Sequence, residues 1–266
     1  MSERVAYTDR VVEGMESLYG KGFLSPGGAP EVDLMFDGVD LHGLSMLDLG
    51  CGLGGATVKL ARDHHAGHVT GVDVVSDSVD RARIAAAAAG LDDRVTVRKI
   101  EPGPLPFDDG EFDAVLCKDV VCHMADKAAF MTEPFRVLKP GGRLFCADFF
   151  EGVADDGAHP GAAAFAGFVA TTESYGLIYH FEPRAIYDRA LRAAGFRDLE
   201  FIDHSAISAA GTRDNLVALS GPDSERIKGL LGDALFAARV RASSFLNKAL
   251  ESGGMEHCHM RAARPG

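Results

Sequence analysis

A chain of 266 residues with 47% apolar and 25% charged side chains has the composition of an ordinary globular protein. It is long enough to bury a sizeable core, as one large domain or as one domain with an added cap. Its 27 basic against 39 acidic residues leave a formal net charge of −12. Phosphate-rich surfaces are held by clustered Lys and Arg, so this balance argues against nucleic acid and anionic membrane as partners. No apolar run approaches the roughly 18 residues that suggest a membrane span. Met1-Ser2-Glu3-Arg4 opens no signal peptide, and a cytoplasmic location is expected. Cys51, Cys117, Cys122, Cys146 and Cys258 mostly lie inside apolar runs and read as reduced, buried thiols.

In chain order, Val5, Val12, Met15 and Leu18 recur at helical spacing, which predicts one or two helices within residues 1–20. Ser25-Pro26-Gly27-Gly28-Ala29-Pro30 is turn-rich and separates them from a helix around 31–40. From 44 to 150 the pattern alternates. Strands are predicted at 45–50, 68–73, 94–99, 112–117 and 142–148, with helices near 55–64, 76–89 and 126–138. Such alternation implies a parallel sheet with helices on both faces. Residues 151–182 break the pattern with a Gly/Ala-rich stretch and five aromatics: Phe165, Phe168, Tyr175, Tyr179 and Phe181. A helix at 183–194, a strand at 198–204, mostly helix over 212–252 and a last strand from Met255 to Ala263 complete the reading. The divisions expected are a helical N-terminal lid (1–43), a Rossmann-like core (44–150), and an acceptor-site cover that also completes the sheet (151–266). The apolar stripe of 222–252 suits a pocket cover or a homodimer seam, with packing inside one chain the simpler reading.

The most informative segment is Met46-Leu47-Asp48-Leu49-Gly50-Cys51-Gly52-Leu53-Gly54-Gly55. A buried strand runs into a glycine turn and then a helix, where absent Cβ atoms and free N–H groups leave room for a ligand. The spacing is G-x-G-x-G rather than the G-x-G-x-x-G of dinucleotide folds, and Asp73 ends the next strand 19 residues beyond Gly54. A carboxylate there can accept both hydroxyls of a ribose. These residues resemble the first motifs of class I S-adenosylmethionine (SAM) methyltransferases. The resemblance implies the seven-stranded α/β fold and SAM as cofactor, with S-adenosylhomocysteine as product. It places Asp48, Gly50, Gly52, Gly54, Asp73 and Val74 around the cofactor, and Glu101 and Pro102 beside its adenine.

Three further segments carry a narrower likeness. Tyr19-Gly20-Lys21-Gly22-Phe23-Leu24-Ser25-Pro26-Gly27-Gly28 resembles the lid of phosphoethanolamine and related phosphobase N-methyltransferases. Lys118-Asp119-Val120-Val121-Cys122-His123-Met124-Ala125-Asp126-Lys127 resembles that group's segment after the fourth strand, and Tyr7-Thr8-Asp9 its N-terminal motif. The likeness implies His123 as base and Tyr7 as its partner latching the lid. It also implies Leu24, Ser25, Lys118 and Asp119 at the cofactor, and Tyr19 and Asp119 at the acceptor. Deprotonating an acceptor N–H is work suited to an imidazole near neutrality.

The acceptor chemistry departs from that group. Its phosphate-holding tyrosine after strand five is replaced here in Asp148-Phe149-Phe150, and residues 160–182 contain no Lys or Arg. Phe149, Phe168, Tyr175 and Tyr179 instead suggest a small, largely apolar or aromatic acceptor of natural-product type, methylated on nitrogen or activated carbon. Phosphobase N-methylation is the alternative, and a non-catalytic SAM-binding regulator is the alternative of another class. His257-Cys258-His259 puts two imidazoles on one face of a strand, but no further ligand set is evident in sequence and no metal is expected.

Overall fold

The computed structural model describes residues 8–152, 159 and 161–266. Tyr7 lies outside the described residues. Thr8 caps helix α1 (Asp9–Tyr19), its hydroxyl accepting from Val11 N, and α2 (Gly28–Met35) follows the predicted turn. The chain then alternates through β1 (Ser45–Leu49), α3 (Gly55–Arg62), β2 (His68–Asp73), α4 (Ser76–Ala88), β3 (Val95–Lys99), β4 (Phe112–Lys118), α5 (Lys127–Val137) and β5 (Leu138–Glu151). After α6 (Ala162–Glu173) come α7 (Arg184–Ala194), β6 (Arg197–Asp203), α8 (Ser205–Ser220), α9 (Ser224–Leu231), α10 (Asp233–Ser252) and β7 (Met255–Ala263).

Among the described residues the strands form one seven-stranded sheet in the order β3-β2-β1-β4-β5-β7-β6. The first five run parallel, while β7 is antiparallel to both β5 and β6. Strand alternation divides the core. Leu47, Leu49, Val115, Cys117, Leu144 and Cys146 pack on one face with Met131, Tyr187 and Leu191 of α5 and α7. Met46, Leu116, Phe145 and Ala147 pack on the other with Val32, Leu60 and Val79 of α2, α3 and α4. A third cluster joins Phe149 and Met255 to α6, α8 and α10 through Phe168, Ala209 and Leu246. All five cysteines are free and buried. No helix among the described residues is long and apolar enough to cross a membrane.

Three predicted elements shift. The helix expected at 31–40 begins at Gly28 and ends at Met35, because Gly38 takes a left-handed φ of 70° just beyond it. The Gly/Ala-rich stretch contains α6, a helix with apolar residues on most of its surface whose Phe168 and Ala164 are buried. Helix α8 starts at Ser205, seven residues ahead of the expected 212. The stripe of 222–252 packs inside the chain: Ile227 and Leu231 meet Val11 and Leu18 of α1, and Leu246 and Leu250 join the third cluster.

Candidate active site

Strand order reverses between β1 and β4, and a cleft of about 540 Å³ opens there at the carboxyl ends of the strands. Gly50 carries the chain around the end of β1 with φ 81°, its N–H and that of Cys51 both donating to Val72 C=O. A Cβ at Gly50 would meet Val120 Cγ2 at 2.4 Å, so glycine is required where the turn passes the β4 loop. Asp48 is buried below the turn and accepts from Thr57 Oγ1 at 2.6 Å. Burial, with Asp73 adding repulsion, pushes its carboxyl up to about 6. Asp73 accepts from Gly52 N at 3.0 Å and Val75 N at 2.9 Å, which fixes the turn while a carboxylate retains further acceptor sites.

Leu24, Ser25, Gly50, Gly52, Asp73, Val74, Glu101, Pro102, Lys118 and Asp119 all line the cleft. Glu101 stands on its solvent side, 79% exposed and ion-paired with Lys99. Gly54 does not line it. It caps α3 in a left-handed conformation, and an added Cβ would strike Ala82 of α4 at 2.9 Å. Its absent side chain serves helix packing rather than ligand access.

Asp119 follows β4 with φ 55°, a strained conformation for a non-glycine residue, held by its N–H donating to Ala147 C=O. One carboxylate oxygen pairs with Lys118, and the other, Oδ1, is buried without a hydrogen-bond partner. An acceptor-only oxygen in that state fits a cationic or N–H-bearing group in the cleft. Lys118 is itself fully engaged. Its ammonium reaches Ser25 Oγ at 3.0 Å, Pro26 C=O at 2.9 Å and Glu31 Oε2 at 2.8 Å, so it fastens the Ser25–Pro26 turn to the end of β4. Burial would lower its pKa, but Asp119 and Glu31 outweigh that and keep it charged.

A 3-10 turn at Val121–His123 carries the predicted base. Asp148 orders this turn by accepting from Cys122 N at 2.7 Å and Phe149 N at 2.8 Å, and burial pushes its carboxyl up to about 7. His123 is exposed to the cleft, with Nδ1 2.9 Å from Ile178 C=O and its ring stacked on Tyr179 at 4.7 Å. A carbonyl can only accept, so Nδ1 carries the proton and Nε2 of the neutral ring keeps a lone pair. Lys127 holds the two loops together by donating to the carbonyls of Met124 and His180.

On the far side of His123 the lining is aromatic. Phe149, Phe168 and Tyr179 line the cleft as expected from their chemistry, and Tyr19 reaches it from the end of α1. Tyr175 stands one step behind. It is outside the lining and its hydroxyl accepts from Arg239, which does line the cleft. Arg239 was not legible in the sequence because it comes from α10, 64 residues beyond Tyr175. Its guanidinium also lies near the Tyr19 and Tyr175 rings at 6.0 and 5.4 Å. Glu31 was missed for the same reason: nothing in a single amphipathic helix says that one of its acids is buried.

Residues 47–146 match the family model for the methyltransferase domain. A phosphoethanolamine N-methyltransferase of Triticum aestivum is 30% identical over 185 residues, covering 69% of this chain and 34% of that protein. Methyltransferase GfsG of Streptomyces halstedii is 33% identical over 184 residues, covering 68% of this chain and 63% of that protein. Among solved structures, Haemonchus contortus phosphoethanolamine N-methyltransferase 2, in complex with phosphomonomethylethanolamine and S-adenosylhomocysteine, has the same fold. Its TM-score is 0.84 at 21% identity, over 99% of this chain and 60% of that one. The chain therefore spans about a third of the wheat relative and less than two thirds of the other two. Residues 47–146 thus carry a methyltransferase domain, and the sheet order and glycine turn are those of the class I methyltransferase fold.

Proposed function

We propose that the chain is a SAM-dependent methyltransferase acting on nitrogen or activated carbon of a small, largely apolar or aromatic molecule. The observation that carries this reading is the continuity of the cleft. One cavity takes in the Gly50–Gly52 turn and Asp73, the unpaired Asp119 Oδ1, His123, and the aromatic wall of Phe149, Phe168 and Tyr179. SAM supplies an electrophilic methyl, whose carbon bonds to the acceptor lone pair while the C–S electrons return to sulfur. In the proposed division of labour, Asp73 accepts from the ribose and Asp48 braces the turn. Ser25 and Leu24 close the lid, and Asp119 Oδ1 accepts from an N–H of the cofactor or acceptor. His123 Nε2 takes the acceptor proton, and Tyr7 is its latch by likeness to the phosphobase group. Positioning supplies much of the rate, since the sulfonium is already reactive.

Arg239 favours a second reading. The segment 160–182 lacks a cation, yet α10 delivers one to the same wall, and an acceptor phosphate or carboxylate could pair with it. Phosphobase N-methylation is thus the rival substrate class, in keeping with the relatives.

Calorimetric titration with SAM and S-adenosylhomocysteine, followed by methyl transfer to aromatic amines, indoles and phosphoethanolamine, tests the proposal. Wild type is expected to bind both cofactor forms, Asp73→Ala to lose most of that binding, and an aromatic acceptor to be methylated in preference to the phosphobase. His123→Ala should retain SAM binding and lose roughly 100- to 10,000-fold in kcat. Turnover unaffected by that change would remove His123 from the chemistry. SAM binding without turnover on any acceptor would favour the regulator reading.

A further inference from the structure

Three side chains from the two ends of the chain meet in the interior beside Lys118. They are Glu31 of α2 and His257 and His259 of β7, and each offers a ligating atom within 4.8 Å of the other two. Glu31 Oε1 stands 3.0 Å from His257 Nε2 and 3.3 Å from His259 Nε2. None of the three is more than 7% exposed. The period of the strand puts both imidazoles on one face, and the lid helix lays its one buried carboxylate against them.

We propose that Glu31, His257 and His259 form a binding site for one divalent first-row transition-metal ion, zinc(II) being the reference case. Two imidazoles and a carboxylate are a donor set suited to zinc and its neighbours rather than to magnesium or calcium. With metal–ligand bonds of about 2.0–2.2 Å, adjacent donors stand roughly 3.0–3.5 Å apart, and the two separations from Oε1 fall there. The orientation of His257 is fixed from behind. Its Nδ1 is 2.7 Å from Ser208 Oγ, its backbone N–H donates to Ser205 Oγ, and Phe149 packs on its ring at 4.4 Å. His204 packs in the same way on His259, with ring centroids 4.1 Å apart.

One further observation points to a cation at this place. His257 Nε2 is buried with no hydrogen-bond partner, although Glu31 Oε1 is only 3.0 Å away. The ring is close to the carboxylate but out of line for a direct bond, as when both address a third body. Glu31 Oε2 ion-pairs with Lys118 at 2.8 Å without an aligned hydrogen bond, while Oε1 faces the two histidines. An ion here joins the lid helix to the last strand. Lys118 extends that tie to Ser25 and Pro26 at the cleft, so the site is structural and independent of the methyl-transfer reading.

The test uses the full, tag-free chain, freed of metal by a chelator and titrated with cobalt(II) under visible spectroscopy, then with zinc(II). One equivalent of cobalt(II) is expected, giving ligand-field bands that zinc(II) displaces, with zinc(II) raising Tm. Glu31→Gln and His259→Gln should each weaken uptake at least roughly tenfold with the far-ultraviolet spectrum unchanged. X-ray absorption of the zinc-loaded wild type needs no variant and should show two imidazole ligands. Wild type that takes up neither metal overturns the proposal and leaves a carboxylate–imidazole contact in its place. So does uptake unchanged in both variants, or a zinc shell with fewer than two imidazoles.

Discussion

Asp48 is an acid buried under a turn that would accommodate a ligand, and its environment makes a sign-definite prediction. Unfolded, an aspartate titrates near about 3.9, whereas burial holds Asp48 at about 6 in the native chain. Between those values the unfolded chain releases its proton first. Stability from this group is therefore complete below about pH 4 and lost as pH rises to about 6, by something on the order of 3 kcal/mol. Asp48→Asn keeps a carbonyl to accept from Thr57 and removes the titration. Urea unfolding of both proteins at about pH 4 and about pH 7 should show the wild type losing more stability than the variant. Equal losses would mean that Asp48 does not titrate in this window. Residues such as Asp48, Gly50 and Asp73 were legible because the strand–turn–helix backbone itself demands them. Glu31 and Arg239 were not, because their roles depend on partners at least 87 and at least 64 residues away respectively.

The segment after α1, expected to act as a lid, meets the start of α3 through two glycines. Gly22 has φ 85°, and a Cβ on it would lie 2.8 Å from Gly55 Cα; Gly55 N in turn donates to Gly22 C=O. Alanine at position 22 must both adopt a left-handed conformation and push the lid away from α3, at a cost of about 1–3 kcal/mol. Gly22→Ala is expected to lower Tm by several degrees and weaken SAM binding by about tenfold or more, measured by calorimetry. Undiminished affinity would show that the lid does not need this contact to hold the cofactor. At this scale the alternating core was readable from period and turn chemistry, and β1, β2, β4 and β7 fall within a residue or two of expectation. Helix α6 was not, since a Gly/Ala-rich run has no clear period until Phe149, Leu246 and α10 cover it.

In the whole molecule, the last strand is not an edge. β7 lies between β5 and β6, pairing with Glu151 through Arg143 on one side and with Arg197 to Asp203 on the other. Arg264 then donates to the carbonyls of Phe135, Arg136 and Leu138 at the end of α5. The sheet therefore cannot close until the chain is complete to this point. Removing residues 254–266 leaves β6 with no partner strand and exposes the edge of β5, an unpaired ladder prone to association. Such a truncation should give no cooperative unfolding transition and should aggregate on size exclusion. A soluble, cooperatively unfolding truncate would show that the rest of the chain folds without β7.

The sequence by itself determined the class of fold, the glycine turn and its acids, and the His-bearing segment after β4. Those are local: a strand period, a positive φ or a strand-end carboxylate is specified within about twenty residues. Tertiary structure alone decided that Lys118 fastens the Ser25–Pro26 turn and Glu31 instead of reaching freely into the cleft, and that Arg239 gives an otherwise apolar wall a cation. It also decided that Glu31 joins His257 and His259 in the interior. Each of these depends on burial and charge shared between distant elements, and burial is a property of the packed molecule that no local pattern encodes.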